Sequence, residues 1–267
     1  MNFGRVFALV LRQYYLARGS VSRILPLFIW VVIDIVLWGF ITRYLNSFAQ
    51  SGFNFVAVFL GAILLWDFLT RVMHGVTIAF LEDVWSRNFL NIFATPMSIA
   101  EYLAGLVLSS IATSSFALVA MLLVATLAFG FSFFMYGVLL VPFFLVLFLC
   151  GIALGIVGIS VVLRLGPAAE WFIWPVPAML SPFVGVFYPL AVLPKWMRVV
   201  SYALPPSYVF ESMRGIIAGR TPPLGILFLS IALSLIYILL AGWFFQRTYR
   251  MAVETGLIPR YSAESVS

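Results

Sequence analysis

The sequence predicts an all-α integral membrane protein, and three observations predict it. Of 267 residues, 64% are hydrophobic and only 9% are charged, with a mean hydropathy of +1.14. A soluble domain needs about a quarter of its residues charged to cover its surface. The apolar residues also come in long runs rather than at helical spacing, so the helices are apolar all round and suited to lipid or a bundle centre. Finally, the arginines stand at the ends of those runs, as topological anchors do. At roughly 20 residues per crossing the chain has room for about six spans.

The net charge is +6, but the arginines are scattered, whereas nucleic-acid binding needs a clustered patch. No nucleic-acid partner is expected. Cys150 is the only cysteine, which leaves no internal disulfide and no cysteine-based metal cluster. The N-terminal apolar run is short, Arg12 interrupts it and no small-residue cleavage site follows. The chain is therefore expected to keep its N-terminus.

Residues 1–23 read as an amphipathic interfacial helix. Phe3, Phe7, Val10 and Tyr14 repeat on one stripe, with Arg5, Arg12 and Arg18 mainly off it. The rest, residues 24–267, reads as a six-span transmembrane domain. Span one covers about 24–45, with Pro26 in its first turn, where a missing N–H is harmless. Span two covers about 55–79 and is followed by a polar amphipathic loop over 80–102. Spans three and four cover about 103–129 and 137–163. The fifth region holds eight prolines between Pro167 and Pro206, a density no straight helix tolerates. It reads as a span over 168–184, then short broken helices dipping back into the membrane, where protein or water must satisfy their backbone. Span six covers about 224–245. The arginine bias puts both termini in the cytoplasm.

Four ionisable residues fall inside spans, where charge is costly. Asp67, Arg71 and His74 share a face of span two at i, i+4 and i+7, and Asp34 lies in span one. The face reads either as a proton or ion relay or as a plain Asp67–Arg71 pair at helical spacing. Arg164 and Glu170 flank the turn after span four and are placed to pair across it. Gly151, Gly155 and Gly158 line one side of span four, as a packing seam or a dimer contact.

No catalytic constellation is present. The sequence has no phosphate loop, and its one lysine, Lys195, stands in a proline-rich segment. It has no GxSxG elbow, no HExxH and a single histidine. No metal site and no bound cofactor are expected in this chain.

Two segments carry more information. In the loop over 80–98, Trp85, Phe89, Ile92 and Phe93 make an apolar stripe beside Glu82, Ser86, Arg87 and Asn88, which describes a short amphipathic helix. Pro96 ends it, and Ser98 with Glu101 makes a capping box for span three. Such a helix rests on lipid or inserts into a partner's groove. Over 185–215, apolar turns alternate with prolines and close on Glu211 and Arg214.

Together these segments resemble the type-2 ABC exporter permease family. Glu82 and Thr95-Pro96-Met97-Ser98 match its first cytoplasmic loop. Tyr188-Pro189, Leu193-Pro194-Lys195-Trp196, Pro206-Ser207-Tyr208 and Arg214 match its far-side signature. The family's Gly-Thr after the loop Glu is replaced here by Trp85-Ser86-Arg87-Asn88. The resemblance implies a permease homodimer in the cell membrane, the inner membrane of a bacterium, that binds two copies of a separate ATPase subunit carrying ATP and Mg. The 80–98 segment would be the coupling helix, with Glu82, Trp85, Arg87, Phe89, Phe93 and Pro96 at the partner contact. Residues 1–23 would be a connecting helix. The 185–215 segment would be a re-entrant gate built on Tyr188, Pro189, Pro194, Trp196, Pro206, Tyr208 and Arg214. Cargo would be amphipathic, lipid-linked or drug-like, although lipid-facing aromatics account for the Phe and Trp content equally well. A secondary transporter or flippase without an ATPase is the alternative, and it predicts paired broken helices in two halves. Only one broken region is present.

Overall fold

The computed structural model describes residues 1–48, 56–86, 88, 91–92 and 94–256, and every regular element among them is helical. Helix α1 (Phe3–Arg18) precedes α2 (Val21–Phe48), and a π turn (Val56–Leu60) leads into α3 (Gly61–Trp85). Then come α4 (Ile99–Phe129) and α5 (Leu140–Leu165). Short helices follow: α6 (Glu170–Ile173), α7 (Val176–Val184), α8 (Lys195–Ala203) and α9 (Pro205–Ile217). Helix α10 (Leu224–Glu254) is last.

Four helices among the described residues are long and apolar enough to cross a membrane: those ending α3, α4, α5 and α10. At 31 residues, α4 and α10 are each about 46 Å long and exceed the ~30 Å hydrocarbon core, so their ends project beyond it. The most apolar windows of α3 and α5 are 56% and 50% buried, against 22% for α4 and α10. The first pair is therefore the bundle centre, with α4 on one side of α3 and α10 against α5.

Small residues allow that centre to close. A Cβ added at Gly151 would stand 2.9 Å from the Leu69 carbonyl oxygen, and one at Gly155 3.0 Å from that of Met73. The glycine stripe of α5 is thus a packing seam against α3. Across the other α3 face, Ser110 Oγ of α4 donates to the Val72 carbonyl at 3.0 Å.

Several boundaries differ from expectation. The first helix ends at Arg18, so residues 21–23 already belong to α2. Helix α3 continues through Phe80–Trp85, residues assigned above to the loop. The fifth hydrophobic region divides at Trp174–Pro175, because Pro175 and Pro177 lack the amides that would continue the ladder. Gly185 ends α7 at φ +68°, a left-handed position that turns the chain out of the helix axis. Helix α10 continues past 245 and carries Arg247 and Arg250 on its last turns. Residues 257–267, including Arg260, lie outside the described residues.

If the α3–α5 seam sets the bundle, Gly151→Ala overpacks it. We expect a loss of about 1–3 kcal/mol, read as a lower Tm of the purified protein. Gly242→Ala, on a part of α10 with open space around it, should not lower Tm.

Candidate functional site

At one end of the bundle, α1 is clamped across the α3 terminus and the α4 start. The Asn2 side chain caps α1 by accepting from the Gly4 amide at 2.9 Å. The Asn2 amide donates to Glu101 Oε1 at 2.6 Å, and Arg5 pairs with the other carboxylate oxygen at 3.5 Å. Arg5 also donates to the Pro96 carbonyl. Glu101 completes the expected capping box, accepting from the Ser98 amide at 2.9 Å while its own amide donates to Ser98 Oγ at 3.2 Å. One carboxylate thus joins α1, the loop before α4 and α4 itself.

The second half of the clamp is a buried charge. Asp83, in the last turn of α3, has no exposed side-chain surface. Arg12 of α1 pairs with it at 2.5 Å, and Tyr102 of α4 donates its hydroxyl to it at 2.8 Å. Between the two carboxylates, Leu9 packs against Gly105, which has no Cβ to hold it off. Arg5, Leu9 and Arg12 share one face at i, i+4 and i+7. The opposite stripe stays open, with Phe3 79% and Phe7 60% exposed, so the periodic apolar face of α1 is not its protein-packing face.

Of the residues placed at the partner contact, Glu82 is half-buried in α3, Trp85 ends α3 with nearly half its surface open, and Pro96 is exposed beside Arg5. Arg87, Phe89 and Phe93 lie outside the described residues. Residues 80–98 are not one helix. The chain leaves α3 at Ser86, is helical again at Asn91–Ile92 and turns at Ala94–Pro96. Asp83 was not singled out by sequence. The only local signal for it was an acidic residue at a span end, because its cation comes from Arg12 on the distant α1.

At the other end, the 185–217 block packs against the π turn, α5 and α10. Glu211 accepts from the Leu190 amide at 2.7 Å and from Arg214 at 3.0 Å. Arg214 in turn donates to the Gly185 carbonyl at 2.8 Å and that of Val186 at 3.3 Å. Arg198, which sequence reasoning missed, donates to the carbonyls of Leu190, Ala191 and Leu193. These bonds satisfy a backbone that no helix ladder serves. Tyr188 donates to the Pro182 carbonyl at 2.9 Å, and Tyr208 to that of Tyr202 at 2.6 Å. Trp196 meets Phe183 edge-on at 6.1 Å. Pro189 and Pro194 hold extended backbone at the starts of their turns, and Pro206 is buried in the first turn of α9.

Between the two ends, Asp67 and Arg71 form their pair at 2.6 Å. His74 meets the Trp174 ring at 4.7 Å between centroids, and Asp34 of α2 lies within electrostatic reach of Arg71. Asp34, which looked isolated in sequence, is therefore near the Asp67–Arg71 pair. Arg164 and Glu170 make no ion pair with each other.

Long apolar helices with an ion-paired surface helix at one end and a stitched broken-helix block at the other define a multi-pass membrane protein. The family model of ABC-2 type transporters matches residues 5–218, and the chain belongs to that family. No curated protein shows significant similarity to it. Membrane subunits of this family are typically non-catalytic transport components, and the transporters usually work with an ATPase subunit.

Removing Arg12 leaves a buried carboxylate without its cation. Arg12→Met should lose about 3 kcal/mol, measured by chemical or thermal denaturation. The double variant Arg12→Met with Asp83→Asn should recover much of that loss.

Proposed function

We propose that this chain is the permease subunit of an ABC exporter, moving an amphipathic, lipid-linked or drug-like substrate outward. ATP and Mg bind in a separate ATPase subunit, two copies of which serve a permease homodimer. The full domain has six spans. Helix α2 and the divided α6–α7 segment supply the two crossings beyond the four long apolar helices. Both termini face the cytoplasm of a bacterial inner membrane.

One observation carries the reading: the loop before α4 is joined to α1, α3 and α4 through Glu101, Asp83 and their partners. A push on Pro96 and Ser98 would reach α1 and α4 through the bonds of Arg5 and Glu101. The 86–98 segment is the coupling contact, α1 the connecting helix, and 185–215 the re-entrant gate. The hydrogen bonds that stitch this gate suit non-helical backbone at membrane depth.

The second reading, a secondary transporter or flippase without an ATPase, is favoured by the intramembrane polar residues Asp34, Asp67, Arg71 and His74. Reconstituted vesicles separate the two. Transport that requires the ATPase and persists when ion gradients are collapsed supports the exporter. Transport on a proton gradient without the ATPase overturns it.

Two further outcomes follow from the assignments. Trp85→Asp or Phe89→Asp should abolish permease stimulation of the ATPase while membrane insertion stays intact. Unchanged stimulation would remove this loop from the contact. In a Cys150→Ser background, Lys195→Cys should react with a membrane-impermeant maleimide from outside only, and cytoplasmic labelling would invert the topology.

A further inference from the structure

The C-terminal turns of α10 and the end of α5 form an open cavity of about 770 Å³. Arg164 of α5 and Arg247 and Arg250 of α10 line it, with Trp243, Thr248 and Glu254. None of the three guanidinium groups has an ion-pair partner among the described residues. Arg247 instead lies 5.8 Å from the Trp243 ring centroid. Three arginines against the single carboxylate of Glu254 give this space a positive potential that favours an anion.

The approach to the cavity is apolar. Phe228, Ile236, Leu239 and Leu240 are exposed along α10 and lead to Trp243, itself 60% exposed. Positions 236, 240, 243, 247 and 250 follow one helix face, so an exposed hydrocarbon track runs directly onto the arginines. A soluble anion would use the arginines but not the track, and a neutral lipid the track but not the arginines.

We infer that this cavity binds the headgroup of an anionic phospholipid. Its phosphodiester would lie on Arg164, Arg247 and Arg250, with an acyl chain along Trp243 and the α10 track. Guanidinium pairs suit phosphate oxygens bidentately. The Glu254 carboxylate, which also lines the cavity, is an acceptor for headgroup hydroxyls, which favours phosphatidylglycerol over a headgroup without them. Assigning the lipid to the cytoplasmic leaflet rests on the topology proposed above. The binding itself does not, because a nanodisc exposes both leaflets.

The test is lipid retention by the full chain, purified from nanodiscs containing equal phosphatidylglycerol and phosphatidylcholine and analysed by native mass spectrometry. The wild type should retain phosphatidylglycerol selectively. Arg164→Gln with Arg247→Gln and Arg250→Gln should lower that preference by about tenfold or more, whereas Arg43→Gln, at the far end of α2, should not. Because the triple variant can misfold, Glu254→Gln alone is the second arm, with reduced discrimination between phosphatidylglycerol and phosphatidic acid expected. Equal retention of both lipids by the wild type overturns the inference. So does thermal stabilisation by inorganic phosphate matching that by phosphatidylglycerol, which would make the ligand a soluble anion. A triple variant that keeps its lipid preference but loses ATPase stimulation overturns it too, and makes the patch a protein contact.

Discussion

A carboxylate buried at the end of a membrane helix has to be answered by charge and hydrogen bonds, and in this protein Asp83 sets that demand. An ion without water costs several kcal/mol unless partners replace its hydration. Arg12 supplies the cation and Tyr102 the hydroxyl, and they come from two different helices. The requirement therefore fixes α1 against both α3 and α4. Glu101 repeats the arrangement two turns back along α1, with Asn2, Arg5 and Ser98 around it. Together these contacts make the bundle end stiff in a chain whose other helix contacts are mostly non-directional.

The opposite end solves a different problem. Between Gly185 and Pro194 the backbone is broken by prolines and no α-helical ladder satisfies it. Arg198, Glu211 and Arg214 reach back to carbonyls and an amide in that stretch. The two ends are joined by α3 and α5, which approach closely because glycines face Val72 and Val76. Tight contact along a seam lets displacement at one end reach the other as a rigid shift, since packed cores deform little. The structural division matches the proposed functional one: a clamped end to receive force and a stitched end to act as gate.

Much of this was legible in the sequence. Long apolar runs located α3, α4, α5 and α10, and proline density located the broken region. The capping box at Ser98 and Glu101, the Asp67–Arg71 pair and the Glu211–Arg214 pair all formed at their expected spacing. What was not legible depends on contacts between distant segments. Phe80–Trp85 looked like loop because Glu82 and Asp83 break the apolar run. They continue α3 because Arg12, some seventy residues away in sequence, returns to neutralise one of them. The protein-facing side of α1 was not legible either. Its apolar stripe is regular, yet the packed face is the one carrying Arg5, Leu9 and Arg12. Local periodicity identifies an amphipathic helix but does not say which face meets protein when lipid is the solvent on the other side.

The central claim is that α1, the loop before α4 and the ends of α3 and α4 move as one body during transport. Leu9→Cys with Gly105→Cys in a Cys150→Ser background tests it directly, since a Gly105 Cβ would stand 2.9 Å from Leu9 Cβ and a shift of about 1 Å brings the pair to the ~3.8 Å of a disulfide. Transport and ATPase stimulation would be measured in vesicles with the disulfide formed and then reduced. The account predicts equal activity in both states, because the bond joins parts that already move together. Activity lost on oxidation and restored by reduction would mean that α1 slides on α4, and the rigid clamp would be contradicted.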